Sequence, residues 1–164
     1  MTKVLVIFTV FNLLTFGLFA LVSKDMEMKA YPEAKQGVER FAVFLLEKTK
    51  ADEEALMVEI IAGKPMLTDG VNQVRLASVI EPRTFGGEEK TYYEVTGPSE
   101  VISTRMAVPE GAPKVEQFVS AAPLKVQYNS DAPIVVYAPT EYEVRYGIWK
   151  GTEMVEETEA AEKR

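Results

Sequence analysis

Tyr142-Glu143-Val144-Arg145-Tyr146-Gly147-Ile148 places Tyr, Val, Tyr and Ile on one parity and Glu, Arg and Gly on the other. Successive side chains of a strand point to opposite faces, so this period of two marks a half-buried β-strand and not a helix. Val58 and Ile60 alternate with Met57 and Glu59 in the same way. Working outward, short runs rich in β-branched and aromatic residues occupy 38–46, 56–62, 73–80, 91–96, 100–107, 115–121, 124–128 and 133–137. Turn chemistry separates them: Gly63-Lys64-Pro65, Asp69-Gly70, Gly86-Gly87, Gly97-Pro98, Pro109-Glu110-Gly111 and Asn129-Ser130-Asp131. With no strand–helix alternation, the pattern predicts an all-β fold, an antiparallel barrel or sandwich of about seven to nine short strands. The one helical stretch of any length is 152–163; it is Glu-rich, has little to bury beyond Met154 and Val155, and is expected to be solvated and frayed.

The 164 residues suffice for one core and not for two. Two absences exclude more than the totals do. Without histidine the usual general base and the commonest zinc ligand are missing. Without cysteine there is no thiolate nucleophile, thiolate metal site or disulfide. No catalytic constellation, metal site or cofactor-binding loop is legible, so the chain is not expected to be an enzyme. The net charge of −7 and the lack of a basic stripe argue against nucleic acid as a partner.

Residues 1–23 carry one charge, Lys3, followed by an apolar run from 4 to 22. That is the pattern of a secretory signal, although the run exceeds the usual core of about 7–15 residues and approaches the roughly 20 of a membrane helix. A cleaved signal and a retained N-terminal anchor both place the remainder outside the cytoplasm, in the periplasm or an equivalent compartment. In the anchored case this segment is the chain's only membrane contact. Residues 24–30 are then a linker, 31–150 the domain, and 151–164 an acidic tail.

Two stretches carry a family resemblance. Val101-Ile102-Ser103-Thr104-Arg105-Met106-Ala107-Val108-Pro109-Glu110-Gly111 resembles the reactive loop of ecotins, periplasmic dimeric inhibitors of chymotrypsin-fold serine proteases, with its Ser-Thr-Met-Met-Ala-Cys-Pro core. The run from Tyr128-Asn129-Ser130 through Pro133-Ile134-Val135-Val136-Tyr137 to Pro139, then Tyr142 to Lys150, is similar to that family's Tyr-Asn-Ser-x-x-Pro-Ile-Val-Val-Tyr signature and its Val-x-Tyr-x-x-Trp-Lys strand. Tyr31-Pro32-Glu33-Ala34 and Thr91-Tyr92-Tyr93 agree more weakly.

The resemblance implies a substrate-like inhibitor whose extended loop lies in a protease cleft. A loop already held in the bound shape loses little entropy on docking. The aligned loop makes Arg105–Met106 the reactive bond, flanked by Ile102, Ser103, Thr104 and Ala107. Where the family commonly has Met, Arg105 offers a planar cation to a carboxylate-floored pocket, so trypsin-like proteases are the expected targets. The family's disulfide between reactive and support loops cannot form, because Val108 and Gly70 stand near the two cysteine positions. The support loop, 69–75, then offers Asn72 and Arg75 as donors to the reactive loop, and rigidity is expected from packing of Val108 and from Pro109. A secondary protease-binding surface is implied at Glu88, Glu89, Lys90, Gln127, Tyr128, Asn129 and Asp131. It lacks the family's tryptophan, and Asp131 replaces a usual basic residue. The resemblance further implies a homodimer through the C-terminal segment, although like charges facing each other across a ribbon would oppose pairing. An exported β-sandwich interaction module that has lost tight inhibition is the alternative. Read without the family, Arg105 is an exposed arginine at a strand end, and Tyr137 and Trp149 are core residues.

Overall fold

In a computed structural model, which describes residues 27–87, 90–158 and 162–163, the alternating stretch is a strand, Glu143–Lys150. The chain divides into two compact units, residues 1–33 and 34–164. Of the first, residues 27–33 are described and hold one turn, in which Ala30 N donates to Glu27 O at 3.2 Å and Tyr31 N to Met28 O at 3.2 Å. The stretch 1–23, expected to be a signal or an anchor, lies outside the described residues, as do 24–26. Among the described residues no helix is long and apolar enough to cross a membrane.

The second unit is built from sheets. In the first, strands β1 (Val38–Val43), β4 (Val79–Phe85), β5 (Lys90–Thr96), β9 (Ile134–Pro139) and β12 (Glu162–Lys163) lie in the order β12-β1-β9-β5-β4. In the second, β2 (Leu56–Thr68), β7 (Val115–Ser120), β10 (Glu143–Lys150) and β11 (Glu153–Thr158) lie in the order β11-β10-β2-β7, and β8 (Leu124–Gln127) also pairs with β2. A third pairing joins only β3 (Val74–Leu76) and β6 (Val101–Ser103). One helix, α1 (Lys50–Glu54), precedes β2.

One core cluster draws Phe41 and Val136 from the first sheet and Val58, Ile60, Val119 and Val144 from the second. Each such side chain contributes about 1.5–3 kcal/mol over leaving it exposed, which is why the alternating parity dictates the fold. Ser78 Oγ and Tyr142 Oη enter it as a pair, 3.2 Å apart in the interior.

The all-β class holds, with several departures in detail. Twelve strands occur among the described residues, more than the expected seven to nine. The run 73–80 splits into β3 and the start of β4, and β5 pairs with β9 in parallel. Gly63-Lys64-Pro65, expected to be a turn, lies inside β2. There a Cβ on Gly63 would stand 2.4 Å from the Val119 carbonyl oxygen, so glycine serves close approach of two backbones. Helix α1 escaped the sequence reading because Lys50-Ala51-Asp52-Glu53-Glu54 has no apolar period. Its signal was the cap, where Thr49 Oγ1 accepts from Asp52 N at 3.2 Å.

The acidic tail is a correction. Its described residues are strand and not helix: β11 folds back on β10, and β12 pairs with β1. Within the chain, Glu153, Glu156 and Glu157 stand opposite Lys150, Ile148 and Gly147 and not opposite other acidic residues. Lys163 adds an ion pair to Glu39 at 2.6 Å.

Candidate functional site

Strands β3 and β6 hold one side of a loop that is otherwise in solvent. Their register pairs Leu76 with Val101, Arg75 with Ile102 and Val74 with Ser103. Thr104 N continues the ladder to Gln73 O at 3.1 Å. Residues 101–110 are all exposed, Met106 to 53%. Asn72, by contrast, is only 8% exposed, and its side chain fills the space beneath the loop. Asn72 Oδ1 accepts from Met106 N at 2.7 Å and from Thr104 Oγ1 at 2.9 Å. Asn72 Nδ2 donates to Asp69 Oδ2 at 2.7 Å and makes a longer contact to Met106 O at 3.4 Å. Thr104 Oγ1 in turn accepts from Gln73 N at 3.0 Å.

Asp69 anchors this arrangement. Its Oδ1 accepts from Val71 N at 2.9 Å and Asn72 N at 2.8 Å, closing a turn in which Gly70 takes φ +67°. Hydrogen bonds from the Asn72 backbone, the Asn72 side chain and the Val71 backbone hold the Asp69 carboxyl below its ordinary pKa.

The remaining loop residues behave differently. Arg75 meets the loop through its backbone; its guanidinium makes no hydrogen bond or ion pair among the described residues. Val108 is 39% exposed, so the brace is polar and not the apolar packing expected of that residue. Beyond it, Ala112 N donates to Pro109 O at 3.1 Å, closing the loop's far side with Gly111 at φ +79°. Arg105 extends into solvent with no hydrogen bond or ion pair among the described residues, and Ser103 and Ala107 are likewise exposed.

A second cluster joins α1 to the 127–132 loop. Glu53, 4% exposed, accepts from Ser130 Oγ, which together with burial and Lys50 sets its ionisation; the Ser130 bond is the largest influence and lowers its pKa. Lys50 Nζ bonds Asp131 Oδ2 at 2.8 Å and Glu53 Oε2 at 3.3 Å, and the Asp131 bond chiefly raises its pKa. Gln127 Nε2 donates to Glu53 O and Leu56 O at 2.7 and 3.0 Å. Asp131 N donates to Asn129 Oδ1 at 2.9 Å. Tyr128, expected at a contact surface, is instead 2% exposed, with its hydroxyl donating to Leu46 O at 2.6 Å. Of the other segment expected at that surface, Lys90, at the start of β5, is exposed, while Glu88 and Glu89 lie outside the described residues. Sequence reading missed Glu53 and Lys50, and it took Asp69 only as a turn former.

The family model for ecotin matches residues 27–151. The chain belongs to the ecotin family. It is 36% identical over 139 residues to the ecotin of Pseudomonas putida (strain W619), covering 84% of this chain and 85% of that protein. It is 35% identical over 145 residues to the ecotin of Pseudomonas fluorescens (strain Pf0-1), covering 87% and 88%. Family membership makes the chain a serine-protease inhibitor and not an enzyme; the family's members are exported, periplasmic proteins.

Proposed function

We propose that this ecotin inhibits trypsin-like serine proteases by presenting Arg105–Met106 as an uncleaved substrate bond. The observation that carries the reading is an asymmetry at that bond. The Met106 backbone is gripped by a nearly buried amide, while the Arg105 side chain stands in solvent without a partner among the described residues. A specificity side chain must leave its own molecule to enter a pocket, and the bond beside it must not move. Thr104, Ser103 and Ile102 extend along the non-primed side of the cleft and Ala107 along the primed side.

The loop 127–132 and the segment around Lys90 form the secondary contact, to which Lys90, Gln127, Asn129 and Asp131 are assigned, together with Glu88 and Glu89, which lie outside the described residues. A homodimer formed through the C-terminal segment brings that contact to a protease held by the other subunit.

Titration of active-site-quantified trypsin with the purified protein tests the reading. Replacing Arg105 by Asp removes the cation and adds a repelled charge, which should weaken trypsin inhibition by at least about 30-fold, since truncating one partner of a buried charge pair costs about 2–5 kcal/mol. Because Arg105 is exposed, the unfolding midpoint should stay put. Equal inhibition of trypsin and elastase, or an Arg105→Asp protein that still inhibits trypsin, refutes the assignment. Undiminished trypsin binding by that variant would favour an interaction module.

A further inference from the structure

We infer that Asp69 is a positioning residue for the reactive bond, acting through Asn72 as an orientation lock that stands where the family's disulfide is missing. The inference rests on the proposed role of Arg105–Met106.

A primary amide has two ends of opposite hydrogen-bonding sense, and rotation by half a turn exchanges them. At Asn72 each end has only one workable orientation. Its oxygen faces two donors, Met106 N at 2.7 Å and Thr104 Oγ1 at 2.9 Å, and its nitrogen faces two acceptors, Asp69 Oδ2 at 2.7 Å and Met106 O at 3.4 Å. The nitrogen's one short bond is therefore to Asp69. Turned over, the amide would set Nδ2 against the Met106 N–H and Oδ1 against a carboxylate oxygen, placing like against like at both ends.

Asp69 is suited to this because it is itself fixed. Its second oxygen is occupied by the backbone N–H groups of Val71 and Asn72, so the carboxylate cannot swing away without opening the turn. The chain of restraint therefore runs from the 69–72 turn through one carboxylate and one amide to the nitrogen of the Arg105–Met106 peptide bond. That nitrogen is the leaving atom if the bond is cut. Holding it keeps the two halves in register for rejoining.

The two functions of Asp69 separate in one substitution. Asp69→Asn can still accept from Val71 N and Asn72 N through its oxygen, preserving the turn, but its other end becomes a donor facing a donor. Asp69→Ala loses both functions. Amide hydrogen exchange at Met106, measured without protease, reads the lock directly. In the wild type Met106 N–H should be protected although its side chain is exposed. Asp69→Asn should reduce that protection about tenfold, the scale of one charge-assisted hydrogen bond, and Asn72→Ala should reduce it at least as far. In the Asn72→Ala background, Asp69→Asn should change nothing further, and Asp69→Glu should restore part of the protection in the parent. The same variants incubated with trypsin should show faster scission at Arg105–Met106.

Protection at Met106 that survives Asp69→Asn to within about twofold while Asn72→Ala abolishes it would overturn the lock. Additive effects in the double variant would do the same, because Asp69 would then act elsewhere. If the exchange pattern appears as expected but trypsin neither is inhibited nor cuts this bond, the lock stands and the assigned reactive bond fails.

Discussion

Removing the Asn72 side chain is the sharpest perturbation of the reactive loop. Asn72→Ala deletes three short hydrogen bonds and one long one, two of the short ones reaching the loop itself at Met106 N and Thr104 Oγ1. A net bond is worth about 0.5–1.5 kcal/mol, and the groups it leaves behind lie beside an exposed loop where water can reach them. The ordering energy lost by the loop is therefore about 1–2 kcal/mol, the low half of the range for two bonds. If the bound shape must be restored on docking, that amount appears in the inhibition constant as a weakening of about 5–30-fold. Competition against a slow chromogenic substrate measures it. Mass spectrometry of the same mixtures measures accelerated cutting after Arg105. The unfolding midpoint should fall by only a few degrees, because the core is untouched. An unchanged inhibition constant together with an unchanged cutting rate would refute the reasoning, since the loop would then be held by something other than this amide.

Two further outcomes follow. Asp69 has a folded pKa below its ordinary 3.8, so its contribution is complete above that value and is lost as pH falls through the lower folded one. The stability difference between wild type and Asp69→Asn should thus be flat from about pH 5 to 7 and shrink below about pH 4; a difference that instead grows in acid contradicts the lowered pKa. Sedimentation of the full chain at micromolar concentration should give a dimer, and a chain ending at Lys150 should dissociate more readily; a monomeric full chain overturns the proposed assembly.

The strands were legible because period two is a local property. Val58, Ile60, Val144 and Ile148 announce their face within a few residues, and the structure buries all four. What was not legible depends on distant partners. The acidic run after Gly151 looks unfit for a sheet until β10 is placed beside it, offering Lys150, Ile148 and Gly147. Trp149 looks like core by type, yet it is only partly buried on the outer face of its sheet. There Lys125 Nζ lies 3.5 Å from the ring centroid and the indole nitrogen donates to Glu59 Oε2 at 3.1 Å. Both partners stand on other strands, and nothing near Trp149 in the chain points to them.

The reactive site divides along the same line. Arg105 became a candidate only through the family's loop pattern, since an arginine among turn residues has no signature of its own. Asp69-Gly70 carried a sufficient local explanation as a turn, which hid its second task, and the link from Asn72 to Met106 spans 34 residues of sequence. The physical consequence reaches beyond legibility. A disulfide restrains the unfolded chain as well as the folded one, whereas a carboxylate–amide brace exists only once the turn at 69–72 and the β3–β6 ladder have formed. Rigidity at Arg105–Met106 is therefore conditional on the local fold. Any event that opens that ladder releases the bond at once, while a covalent tie would have held its two sides together.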